Sequence, residues 1–148
     1  MSAAQTIHAT AVVIGERGVL ILGPPGAGKS ALALALIEAA AARGRFARLV
    51  GDDRVLLACW GDRLVARGHP AIAGLIEVRG EGLVRLPHAA SAVVRLAVTL
   101  EAETPPRMPH VDAHVMLCGL AVPRLAFAQD GAPESRARRI LAHVTRAG

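Results

Sequence analysis

Lysine is almost missing from this chain of 148 residues: Lys29 is the single one among 17 basic residues. Tyrosine is absent, tryptophan occurs once, and aromatics make up only 2% of a sequence that is 53% hydrophobic. A core must therefore be assembled from Ala, Val, Leu and Ile. The same shortage removes the stacking platforms that hold single-stranded nucleic acids, so the net charge of +5 does not point to a nucleic-acid partner. The arginines are scattered, and a basic surface suits an acidic protein or a polyphosphate equally well. Long apolar runs are lacking too, each being interrupted by Arg, Asp or Gly well short of the length needed to span a bilayer. The start, Met1-Ser-Ala-Ala-Gln-Thr, has no basic flank and no long apolar stretch of signal type, so a cytoplasmic location without membrane insertion is expected. Cys59 and Cys118 sit alone in separate strand-like apolar segments and read as reduced, buried and inert.

The lone lysine stands in Gly23-Pro24-Pro25-Gly26-Ala27-Gly28-Lys29-Ser30, which matches the phosphate-binding P-loop pattern G-x-x-x-x-G-K-[ST] at every fixed position. A chain that uses arginine everywhere else has a specific use for an ammonium here. That compact charge on a flexible stem reaches between β- and γ-phosphates, where a planar guanidinium fits poorly. The glycines let successive N–H groups turn inward on an anion, the following helix adds the positive end of its dipole, and Ser30 offers a hydroxyl to magnesium. Context supports a site rather than a bare glycine turn. The buried-strand pattern Val19 to Leu22 runs into the loop, and an apolar helix from Ser30 to Ala42 runs out of it.

The remaining pattern describes one mixed α/β unit over residues 1–148, a single P-loop nucleotide-binding domain with a mixed central sheet. Ile7 to Ile14 reads as a strand, and Gly15 to Gly18 as the turn of a hairpin leading into the P-loop strand. The helix closes near Gly44, after Arg43. Arg48 to Val50 is a strand leading into Gly51-Asp52-Asp53. Val55 to Trp60 and Leu64 to Ala66 form a hairpin around Gly61-Asp62. A glycine-punctuated stretch from Gly68 to Gly82 follows, then a strand from Ala92 to Leu100, a loop from Pro105 to Pro109, and short strands at Val115 to Leu117 and Leu125 to Ala128. The last element is a helix from about Pro133 to His143 with Arg136, Arg138 and Arg139 exposed.

Asp52 and Asp53 form the second chemical site. A P-loop enzyme needs a carboxylate at a neighbouring strand end for the magnesium shell, and transfer to a hydroxyl needs a base near the acceptor. Adjacent side chains point in different directions, so the pair can divide these tasks. A third segment, Glu77-Val78-Arg79-Gly80-Glu81-Gly82, taken alone is a bulged strand whose Glu77 and Arg79 could pair. His110, Asp112 and His114 share one face of an extended segment, a set more often a polar strand face than a metal site.

In order and spacing, His8, the P-loop, Leu49-Val50-Gly51-Asp52-Asp53 and Gly74-Leu75-Ile76-Glu77-Val78-Arg79-Gly80-Glu81-Gly82 resemble the catalytic domain of the HPr kinase/phosphorylase family. The Glu-x-Arg-Gly-x-Gly segment carries the resemblance most specifically. It implies an ATP- and magnesium-dependent kinase that phosphorylates a serine of HPr, the small phosphocarrier of the bacterial phosphotransferase system. It also implies the short form found in alphaproteobacteria, without the separate N-terminal domain, and it leaves a homo-oligomer open because longer relatives are hexameric. Carried onto this chain, Gly23 to Ser30 would hold the nucleotide phosphates, with Ser30, Glu77 and Asp53 around magnesium. Asp52 would be the base, His8 a catalytic histidine, Lys29 a phosphate ligand, and Arg107 the stabiliser of the transferring phosphoryl group.

Gly51 and Glu81 depart mildly from the family's usual alanine and leucine. The family's basic loop near the C-terminus, linked to dephosphorylation, has no clear counterpart in Phe127 to Pro133, which carries Asp130 and no cation. Phosphate-dependent reversal is therefore expected to be weak, or rescued by the flanking Arg124 or Arg136. Two other readings are a small-metabolite kinase, which would close an arginine-bearing lid that is not evident here, and a nucleotide-binding regulatory module without turnover. A GTPase is excluded, since the single lysine leaves none for an Asn-Lys-x-Asp motif.

Overall fold

The computed structural model describes residues 3–102, 113–129 and 131–146. The chain runs through β1 (Gln5–Ile7), β2 (Thr10–Ile14), β3 (Arg17–Leu22), α1 (Lys29–Ala42), β4 (Ala47–Gly51), β5 (Val55–Trp60) and β6 (Arg63–Gly68). A 3-10 turn over Pro70–Ile72 precedes β7 (Leu75–Val78), β8 (Gly82–Arg85), β9 (Ser91–Glu101), β10 (His114–Leu117), β11 (Leu120–Ala128) and α2 (Pro133–Arg146). Among the described residues, one mixed sheet has the order β1-β5-β6-β9-β3-β2-β4, with β11 also on β9 and β10 on β11, while β7 and β8 pair as a separate ribbon.

The long strand β9 organises this sheet. Its beginning is antiparallel to β6, with Ala92 opposite Ala66. Further on it is parallel to both β3 and β11, with Ala97 opposite Leu20 and Arg124. The carboxyl ends of β3, β9 and β11 consequently share one edge, the place where open α/β sheets bind ligands. Side-chain alternation gives the sheet two apolar faces. Val19, Ile21, Leu96, Val98 and Leu100 face the helices, whereas Leu20, Val94 and Ala97 join Leu57, Leu64 and Val122 on the other side. Each fully buried Leu or Ile contributes roughly 1.5–3 kcal/mol.

Helix α1 is rich in alanine because it is covered twice. Its buried Leu32, Ala33, Leu36 and Ala40 join the sheet's helix-side cluster, and α2 packs against it. Ala137, Ile140, Leu141 and Val144 supply the face of α2, at the spacing that places side chains on one stripe. No helix among the described residues is long and apolar enough to cross a membrane.

Four expectations need amendment. The strand expected from Ile7 to Ile14 is two strands, because Ile7 lies opposite Val55 whereas Thr10 lies opposite Ile21. The chain changes partners at His8 and Ala9. The strand expected from Leu125 begins earlier, at Leu120, and passes through Pro123. That proline marks a change of neighbour: residues up to Pro123 pair with β10, and those from Arg124 pair with β9. A missing N–H is tolerated there. The stretch ending at Gly82 contributes β7 to a ribbon completed by β8. Arg136 is half-buried, its guanidinium 5.5 Å from the Phe127 ring centroid, with that of Arg139 on the same ring at 5.1 Å.

Gly51 and Gly68 allow β4 and β6 to meet backbone to backbone. A Cβ on Gly68 would run into the carbonyl oxygen of Val50, a group that cannot rotate away. Gly68→Ala is expected to lower stability by about 1–3 kcal/mol, the usual cost of overpacking. Urea denaturation with far-UV circular dichroism checks this.

Candidate active site

The P-loop follows β3 at the shared carboxyl edge. Gly26 and Gly28 have φ of 79° and 97°, left-handed values that residues with a Cβ rarely adopt, and they turn the chain from strand into helix. A bond from the Ala27 amide to the Pro24 carbonyl (3.1 Å) tightens the turn. Gly28 is the N-cap of α1, so no side chain covers the first amides, and no acidic residue lies in the first turn. The positive end of the helix is left for an anion.

Lys29 folds back over the loop, where its Nζ donates to the carbonyls of Gly23 (2.8 Å) and Pro24 (3.0 Å). Gly23 packs tightly against the end of β9, since a Cβ there would be 3.2 Å from the Leu100 carbonyl oxygen. The ammonium is thus held over the loop by two neutral carbonyl oxygens.

Beside the loop lies Asp52, at the end of β4 and only 4% exposed. The Ser30 hydroxyl reaches both of its oxygens, at 2.8 and 2.9 Å. Thr10 donates from β2 at 2.7 Å, and the backbone amide of Glu77 donates from β7 at 3.1 Å. Such a carboxylate is buried at acceptable cost only because its lone pairs are met by donors. The bond to its amide anchors exposed Glu77 beside the Ser30–Asp52 contact, and the turn after it is tightened by a Glu81-to-Val78 bond of 2.9 Å.

Asp53 is of a different kind. Its φ of 67° is left-handed, and its side chain turns outward, 72% exposed, with Oδ1 lying 3.8 Å from Nδ1 of His8, itself 79% exposed. The change of partners between β1 and β2 is what carries His8 here. The carboxylates are therefore separated by environment: one is enclosed against the P-loop, and the other opens to solvent beside a histidine.

A model of the HPr serine kinase C-terminal domain matches residues 1–125. The chain belongs to this family. The HPr kinase/phosphorylase of Streptococcus pneumoniae (strain Hungary19A-6) is 36% identical over 133 residues, which cover 81% of this chain and 40% of that protein. The protein of the same name from Mycoplasma mycoides subsp. mycoides SC is 40% identical over 76 residues, covering 51% of this chain and 22% of its own length. The chain thus spans well under half of either relative. A solved structure of the Hpr(Ser) kinase/phosphatase from Coxiella burnetii superposes with a TM-score of 0.75 at 28% identity, over 97% of this chain and 98% of that one. The mixed α/β architecture is that of the HPr kinase catalytic domain.

Of the residues singled out in the sequence, this fold brings Lys29, Ser30 and Asp52 together, with Glu77 and the Asp53–His8 pair alongside. Glu77 and Arg79 form no ion pair. Arg107, His110 and Asp112 lie outside the described residues; His114 opens β10 at the surface. Among the described residues no group of three or more His, Cys, Asp or Glu side chains converges on a metal position. The sequence reading missed Thr10, a buried donor that looks like any strand threonine until the fold places it against a carboxylate 42 positions away.

Thr10→Val keeps the shape of the side chain and removes the donor. It is expected to cost about 1–3 kcal/mol through an under-satisfied buried acceptor. Thr10→Ser should restore most of the loss, and denaturant titration of both variants checks it.

Proposed function

We propose that this domain, read as one kinase unit over residues 1–148, transfers the γ-phosphoryl group of ATP to a serine of an HPr-type phosphocarrier protein in the cytoplasm, with magnesium. One observation carries the reading: at the foot of a complete P-loop, Ser30 is bonded to enclosed Asp52 at 2.8 and 2.9 Å, while Asp53 stands open with His8 beside it. The family membership, the HPr kinase/phosphorylase names of the relatives and the Coxiella likeness support the acceptor.

In this reading the loop amides and the positive end of α1 hold the phosphates, and Lys29 exchanges its two carbonyl partners for phosphate oxygens. The Ser30 hydroxyl with the carboxylates of Asp52 and Glu77 is a hard-oxygen donor set suited to magnesium, which keeps several waters and shares the nucleotide's phosphates. Bound there, the cation supplies charge neutralisation on the phosphate oxygens.

The burial of the two aspartates supports a division of labour opposite to the one drawn from the family resemblance. A base that deprotonates a serine on another protein must meet that serine. Asp52, 4% exposed and engaged by three donor groups, has no face to offer. Asp53 has such a face, and the His8 imidazole lies 3.8 Å from it, placed to orient it. Asp53 is therefore proposed as the base and Asp52 as the metal-shell residue. Reversal by phosphate is proposed to be weak. Arg124 is already engaged by Glu101 at 3.4 Å, and Arg136 lies against Phe127.

Labelled ATP, magnesium and a purified HPr-type acceptor test this. Label is expected on one serine of the acceptor with the wild type and none with Lys29→Ala; nucleotide binding without transfer to any phosphocarrier would remove the kinase reading. Within the kinase reading, Asp53→Asn is expected to keep nucleotide affinity and lose roughly 10²–10⁴ in rate, as for loss of a general base. Asp52→Asn is expected to raise the magnesium requirement and weaken nucleotide binding. The opposite pattern would return the base role to Asp52.

A further inference from the structure

The two cysteines, isolated in sequence, meet in space. Cys59 lies near the end of β5, and Cys118 occupies the turn between β10 and β11 with Gly119. The Cys59 thiol donates to the Cys118 carbonyl at 2.8 Å across 59 positions of sequence. The Cys118 thiol reaches Oε1 of Gln5 at 3.5 Å. Both residues are partly buried, and Cys118 packs against the apolar cluster containing Leu57, Leu64 and Val122.

Cys118 is also one of two non-glycine residues among those described with positive φ, at 50°. If the turn needed only that conformation, Gly or Asn would supply it with less strain. If the site needed only a small apolar side chain, a strand position would supply it without strain. A cysteine held in this conformation satisfies neither purpose, but with the Cys59 sulfur on its own carbonyl it brings two cysteines into contact, the first requirement for a disulfide.

We propose that Cys59 and Cys118 are a modification site: they close to a reversible intramolecular disulfide that staples β5 to the β10–β11 turn. The oxidant is a peroxide. The Cys59 sulfur attacks the O–O bond of hydrogen peroxide, giving a sulfenic acid at Cys59 and one water. The Cys118 sulfur then attacks that sulfenic sulfur, the S–O bond breaks, and the departing hydroxide leaves as a second water with the Cys118 thiol proton. Two thiols are oxidised by two electrons in all, and one peroxide is reduced to two waters. Burial, with the neighbouring Cys59, pushes the Cys118 thiol up, which disfavours it as the first nucleophile.

The link joins two parts of the sheet that are not neighbours in its hydrogen-bonded strand order. β5 belongs to the β1-β5-β6 side, while β11 is hydrogen-bonded to β9. Closing it removes freedom from the unfolded chain, so the staple is read as stability.

The experiment uses the whole chain, purified reduced and exposed to a small excess of hydrogen peroxide. The expected product is a monomer that migrates faster on a non-reducing gel and yields a Cys59–Cys118 linked peptide. Its Tm is expected to rise on the order of 5–10 °C, and dithiothreitol should reverse all three changes. Cys59→Ser and Cys118→Ser should each abolish the linked peptide and the rise in Tm. Oxidation that stops at separate sulfinic or sulfonic acids, cross-links different molecules, or gives the linked peptide without a rise in Tm would overturn the proposal.

Discussion

A buried carboxylate must be surrounded by donors, and the site depends on how this chain surrounds Asp52. Ser30 comes from the first turn of α1, Thr10 from β2 and the Glu77 amide from β7. Those elements are far apart in sequence, and the carboxylate ties all three together through polar bonds, beside the apolar cluster that Val12, Leu32 and Ile76 share. The carboxylate thereby fixes the start of α1 against the sheet and hangs the β7–β8 ribbon beside the P-loop. Leaving such a group without partners costs more than any one of its bonds returns, so the whole arrangement is held by the penalty for taking it apart.

The consequence for chemistry is that two neighbouring aspartates become different reagents. The left-handed backbone at Asp53 turns it away from the enclosure that Asp52 occupies and sets it near His8. Lys29 shows the same principle in a cation. Its ammonium rests on two loop carbonyls, while Arg48 and Arg139 stack on Phe46 and Phe127.

What was legible in the sequence was what is encoded locally. Glycine spacing dictates the P-loop, the apolar stretch after it dictates α1, and the Gly61-Asp62 turn joins β5 to β6 as expected. What was hidden depends on distant contacts. Nothing near Ile7 signals that the strand breaks at His8, because the break is a change of partner from β5 to β3 and β4. The last strand was expected to start only at Leu125, because the tolerance of Pro123 within it comes from the neighbour switch between β10 and β9. The order Asp-Asp does not state which carboxylate will be buried, and Thr10 and the Cys59–Cys118 contact carry no local mark at all.

The division between the aspartates is tested most directly by a crystal structure with magnesium and a non-hydrolysable ATP analogue. The expected result is a cation beside the Ser30 hydroxyl with Asp52 in its coordination sphere, directly or through water, and Asp53 clear of it and facing solvent where the acceptor serine would enter. A cation held by Asp53, with Asp52 turned out toward the acceptor, would contradict the account.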